Sequence, residues 1–137
     1  MRLSGPVGAA VGFALAALMV APLLFLSKLA GMQFLAVQLG FIGAIYFGFA
    51  IADGGVPALL IEFTVAGVFL FAGAIALWAD STVFLGGAYA AHAVWDAVHH
   101  PRAVSMPVRN WYPPFCVAYD IVCAAFILAW LPRSGVA

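Results

Sequence analysis

The stretch TVFLGGAYAAHAVWDAVHH, residues 82–100, decides whether this chain crosses a membrane four times or five. A helix needs about 20 residues to cross the hydrocarbon of a bilayer, and this stretch nearly supplies them. It also carries Asp96 and three histidines, and an Asp at the centre of a span stands about 2.5–3.5 kcal/mol against insertion. The polar residues, however, form one stripe. His92, Asp96 and His99 are spaced i, i+4 and i+7, a single helical face, with His100 rotated away by about 80°. A neighbouring helix can cover such a stripe and leave Val83, Leu85, Val94 and Val98 for other faces. The spacing therefore predicts a full span, with a four-span chain in which 82–100 is re-entrant as the alternative.

The surrounding composition points the same way. Hydrophobic residues make up 67% of the 137 and charged residues 7%, against about 25% charged in soluble domains, so polar groups are too few to cover a water-facing surface. Apolar runs at about 5–27, 33–52, 57–79, 82–100 and 113–131 predict a polytopic all-α transmembrane bundle of five spans, and 1–137 as one integral membrane domain. Lys28, Asp53-Gly54-Gly55, Asp80-Ser81 and the segment from Pro101 to Trp111 separate the runs. Gly54-Gly55 suits a tight turn, and Pro57, Pro113 and Pro114 fall near helix starts, where a missing N–H is harmless. Trp78, Trp111, Tyr112 and Trp130 fall near span ends, as interfacial anchors do. The apolar stretch from Val7 to Leu26 exceeds the 7–15 residues of a signal core, so a retained first helix is expected. Gly8 and Gly12 give it a GxxxG step for close helix contact, and small-residue faces of this kind suit a homo-oligomer.

Five basic and five acidic residues leave no net charge. No basic patch exists to neutralise phosphates, which excludes nucleic acid as a partner and leaves the lipid bilayer. Arg2, Arg102 and Arg109 fall on the N-terminal side (side A) of the five-span arrangement, and Lys28 and Arg133 on the opposite side B. By the positive-inside rule side A is expected to be cytoplasmic.

On this arrangement the intramembrane ionisable residues share one leaflet. Glu62 lies about 8 Å from side A, Asp120 about 10 Å and His92 about 12 Å by helical rise, with Asp96 nearer that end. Cys116, Asp120 and Cys123 repeat the i, i+4, i+7 step on the fifth span. The two cysteines are about 10 Å apart along the axis, beyond the usual Cα limit of a disulfide. Tyr46 and Glu62 are candidate wall residues. Such buried groups need partners, and convergence into one cluster lowers the cost of each.

Imidazole with carboxylate at these spacings suits a divalent cation, zinc or iron, with His92, Asp96, His99 and His100 as candidate ligands. Asp96, Glu62 and Asp120 are the candidate catalytic carboxylates. A membrane-embedded enzyme acting on a lipid or hydrophobic small molecule is the first functional expectation. A proton- or cation-coupled carrier or channel component is the second, and an assembly subunit the third.

Three segments carry a resemblance: YFGFAIADG at 46–54, HAVWDAVHH at 92–100, and WYPPFC at 111–116 with Asp120. Together they resemble a family of small bacterial integral membrane proteins known as a domain of unknown function, over about residues 40 to 131. The resemblance implies a bacterial inner-membrane location and supplies no activity. The His-Asp-His grouping is also similar to the zinc sites of membrane hydrolases of the alkaline ceramidase type. This chain has fewer helices and no serine in its fourth or fifth span, so that chemistry is not carried over.

Overall fold

The computed structural model describes residues 4–100 and 108–129, and every regular element in that range is helical. Helix α1 (Gly5–Val20) continues as a 3-10 turn over Ala21–Phe25. Pro22 explains the change, because its ring removes the N–H that would bond back into α1. Helix α2 (Lys28–Gly43) is followed, after Ala44, by α3 (Ile45–Asp53), and then come α4 (Val56–Trp78), α5 (Thr82–Val98) and α6 (Tyr112–Ala129). Taken as rods these are five. Four of them, Gly5–Phe25, Lys28–Asp53, Val56–Trp78 and Tyr112–Ala129, are long and apolar enough to cross a membrane. The fifth, α5, is a continuous helix of 17 residues, about 26 Å long at 1.5 Å per residue. It packs along α6, α4 and α2 and does not double back. The chain is a helical bundle of the multi-pass membrane type.

Two local expectations are corrected. The second rod begins at Lys28, because Ser27 accepts the Ala30 N–H at 3.3 Å as an N-cap, and it breaks at Ala44, whose N–H closes a tight turn onto Phe41 O at 3.1 Å. Leu85, expected on another face, is fully buried in the core. It stands seven residues before His92 and so shares the polar stripe's face. Gly54 relieves a steric cost at the turn, as expected, though not through positive φ, which no described glycine has. A Cβ at Gly54 would instead press to 2.7 Å from the Ala50 carbonyl oxygen.

The close helix contact expected of Gly8 and Gly12 lies within the chain. A Cβ at either would fall onto backbone at the start of α6, at the carbonyl oxygens of Trp111, just before the helix, and Phe115 within it. The matched steps show that α1 and α6 run parallel. Gly73 serves α4 in the same way against Ala36 of α2, at 2.8 Å. The core between the rods holds Met32, Leu35, Leu39, Leu85, Tyr89 and Ile127. Outward, Phe13, Phe41, Phe71, Val83, Val94 and Val98 are exposed, the apolar surface that lipid solvates.

Side B is closed by Lys28 Nζ on Asp80 Oδ2 at 2.8 Å, joining the start of α2 to the α4–α5 turn. Asp80 has φ 46°, a left-handed conformation that Asp tolerates better than most residues. Asp53 closes α3 at the opposite end. Trp78 is exposed at the end of α4. Arg2, Arg102, Trp130 and Arg133 lie outside the described residues.

Candidate functional site

The stripe on α5 faces α6, and burial follows. His92, Asp96 and Asp120 are 2%, 0% and 1% exposed, so none of them meets lipid. Asp120 Oδ2 lies 2.6 Å from His92 Nδ1, and Asp96 Oδ2 lies 3.3 Å from the same nitrogen. One ring N–H serves one acceptor, and the shorter contact assigns it to Asp120. The imidazole also stands edge-on to Phe69, with ring centroids 4.6 Å apart, which holds it from α4. One donor atom from each of the three residues fits within 4.8 Å of the others.

Beside this triad lies a cavity of about 210 Å³ walled by Leu15, Ile42, Tyr46, Phe115, Cys116 and their neighbours. Four buried polar atoms at or near it have no hydrogen-bond partner: His92 Nε2, both Asp96 oxygens and the Tyr46 hydroxyl. Buried polar atoms are nearly always satisfied. Here the exceptions are gathered in one place.

A second cluster sits nearer side A. His99 Nδ1 lies 2.9 Å from the Trp95 carbonyl oxygen, and Nε2 lies 3.0 Å from Glu62 Oε1. A carbonyl only accepts, so Nδ1 carries hydrogen, and a further proton must lie between Nε2 and Glu62. Trp95 Nε1 donates to Glu62 Oε2 at 3.3 Å. Glu62 is thereby held from two directions while 0% exposed. Tyr46 joins the clusters, because its ring stacks on His99 at 3.9 Å and its side chain also lines the cavity of the triad.

Residues 7–133 match the family model of DUF6010, a family of unknown function. The chain belongs to DUF6010. Curated proteins and solved structures gave no match. Both clusters of this DUF6010 protein fall inside the matched region.

The structure thus brings His92, Asp96 and Asp120 together and sets Glu62 and His99 apart as a neighbouring pair. His100 is exposed and belongs to neither. Cys116 and Cys123 are free and buried, one on the cavity wall and one in the core. Sequence reasoning missed a third group in this DUF6010 chain. Gln38 donates to the Tyr119 hydroxyl at 2.7 Å, and the Tyr89 hydroxyl lies 2.9 Å from both Gln38 Oε1 and Leu35 O. The signal for it was a glutamine inside an apolar run, which needs a partner in hydrocarbon.

Proposed function

We propose that this protein is a membrane-embedded enzyme in which His92, Asp96 and Asp120 bind one zinc or iron ion and act on a lipid or hydrophobic small molecule. One observation carries the reading: Asp96 is fully buried, and beyond the 3.3 Å approach of its Oδ2 to His92 Nδ1 neither oxygen has a hydrogen-bond partner. A carboxylate with so little compensation is costly in a low-dielectric interior. A divalent cation answers that cost, since its two charges balance Asp96 and Asp120 with His92 neutral. Imidazole and carboxylate are donors suited to zinc and iron, whose bonds to them run about 2.0–2.2 Å. Donor atoms within 4.8 Å of one another come to share such an ion when each moves by under about 1 Å.

A bound cation lowers the pKa of its water and polarises a carbonyl or phosphoryl oxygen. Tyr46 places a hydroxyl at the same cavity, and Glu62 with His99 holds an exchangeable proton one layer nearer side A. Glu62, which this reading leaves free of the ion, is the carboxylate assigned to acid–base work, while Asp96 and Asp120 hold the ion. The cavity's apolar walls favour a hydrophobic substrate, and its size, below the usual 300–1,000 Å³ of drug-sized pockets, favours part of a lipid over a large soluble molecule.

Elemental analysis of protein purified without chelator tests the reading. About one zinc or iron per chain is expected, lost in His92→Ala and Asp96→Asn and kept in His100→Ala. Metal-free protein whose melting temperature does not rise on titration with zinc or ferrous iron would sink it.

The same reading takes 1–137 as one integral membrane domain, supported by a family match over residues 7–133, and assigns it to a bacterial inner membrane. Side A is assigned to the cytoplasm on the excess of Arg2, Arg102 and Arg109 over Lys28 and Arg133. With Cys116 and Cys123 replaced, a cysteine at Ser105 should resist membrane-impermeant maleimide in intact cells, and labelling from outside reverses the orientation. Nucleic acid is not a partner on this reading. A second copy would pack on Gly48 or Gly67, where an added Cβ meets nothing within 4 Å.

A further inference from the structure

A second cavity, of about 420 Å³, opens at side A between the end of α3 and the start of α6, lined by Phe49, Asp53, Val108, Arg109, Trp111 and Tyr112. Its aromatic walls are set at right angles. The Phe49 and Tyr112 rings lie 5.3 Å apart at 82°, and the Trp111 and Tyr112 rings 5.5 Å apart at 83°. Such a corner presents ring faces in different directions, the arrangement that attracts an organic ammonium through the ring quadrupoles. Asp53 adds a negative charge to the same cavity and Arg109 a positive one. Among the described residues neither forms an ion pair, with the other or with anything else. Both charges face the cavity, where a ligand that carries the opposite pair would meet them.

We propose that this cavity seats a zwitterionic phospholipid headgroup, its ammonium against Asp53 and the aromatic corner and its phosphate on Arg109. The proposal rests on the reading that the protein acts on an amphiphile, and it names the headgroup class. Tyr112 lines both this cavity and the one beside the triad. Eight residues of α6 separate Tyr112 from Asp120, about 12 Å along the axis. A lipid held by its headgroup at Tyr112 thus directs its glycerol and upper chains, and not its headgroup, toward His92 and Asp96. An anionic headgroup fits less well, because Asp53 repels it. Aromatic residues that merely anchor the bundle at the interface would show no headgroup preference at all.

The experiment uses the full chain in detergent, equilibrated with equal amounts of phosphatidylcholine, phosphatidylethanolamine, phosphatidylglycerol and phosphatidic acid of identical acyl chains. Native mass spectrometry reads the retained lipid, and zinc and iron are measured on the same samples. The two ammonium lipids should be retained about two- to tenfold over the other two, the range of a cation–π contact with a charge partner. Asp53→Asn should abolish that preference. Arg109→Gln should weaken retention of all four, leaving added diacylglycerol unaffected. Soluble phosphocholine should displace the lipid and inorganic phosphate should not, whereas displacement by phosphate alone would reduce the cavity to an anion site and overturn the proposal. Equal retention of the four lipids, or a preference that survives both substitutions, also overturns it. Lost preference with metal present refutes the headgroup seat alone, and preference without metal refutes the triad reading alone. Asp53 and Arg109 are exposed, so the variants should keep the parent melting temperature, which is checked first.

Discussion

Asp120 and Asp80 are both aspartates near a cation or imidazole, and burial sets them apart. Asp120 takes the His92 ring hydrogen at 2.6 Å with almost no exposure, whereas the Asp80 side chain is 70% exposed in its pair with Lys28. Hydrogen bonds to charged groups are worth about 1.5–3 kcal/mol, and leaving one partner buried and unpaired adds to the loss. Exposed ion pairs are worth about 0–1 kcal/mol. Asp120→Asn should therefore lower the melting temperature clearly and reduce bound metal at least tenfold, while Asp80→Asn, which also suits a left-handed backbone, should change neither measurably. Equal tolerance at the two positions would return Asp120 to an ordinary packing role. The contact between His92 and Asp120 was legible in the sequence, because both residues lie on i, i+4, i+7 stripes of adjacent antiparallel spans. The separation of His99 from that group was not. Helical angle puts His99 on the stripe with His92, but it stands one to two turns nearer side A, where α4 offers Glu62 at 3.0 Å.

Helix α1 contributes no ionisable side chain to the site, yet it decides where α6 sits. Gly8 and Gly12 let the backbones of the two helices approach until a Cβ would overlap Trp111 and Phe115 carbonyls. Rigid backbone, unlike a side-chain tip, cannot step aside. Gly12→Val should force α6 away from its place, at about 1–3 kcal/mol for overpacking, and move Asp120 from His92. The expected result is lost metal and a lower melting temperature from a residue that touches no ligand. Gly87→Val, where nothing lies within 4 Å, should leave both nearly unchanged, and parity between the two variants would dissociate helix packing from the site. The glycine step was visible in the sequence, but its partner was not: GxxxG specifies a close approach and says nothing of which helix makes it. The break at Ala44 was likewise hidden, since no proline or charge marks it within the apolar run. It matters because α3, set off by that break, carries Tyr46 into the cavity.

Across the whole bundle the polar groups are divided unevenly between the leaflets. From side A inward come Asp53 and Arg109, then Glu62 with His99, then Asp96, His92 and Asp120 with Tyr119 beside it, and near the middle Gln38 with Tyr89. Beyond them toward side B the described core is apolar apart from Thr82 at the start of α5, with Met32, Leu35, Leu85 and Ile127 each at most 1% exposed. The next ionisable groups are Lys28 and Asp80, paired at the surface. A conduction path needs polar groups or water across the full thickness of the membrane, and packed aliphatic side chains leave little room for water. A site approached from one side needs only what is present. Proteoliposomes holding this protein under an imposed pH gradient should accordingly show proton flux no greater than empty vesicles, with or without added zinc. Flux above that background which disappears in Asp96→Asn would make the triad part of a transport route. It would also require the Leu35, Leu85 and Ile127 layer to open, so the same measurement on Leu85→Ala, which thins that layer, gives the sign: a plugged site stays silent, and a gated path leaks faster.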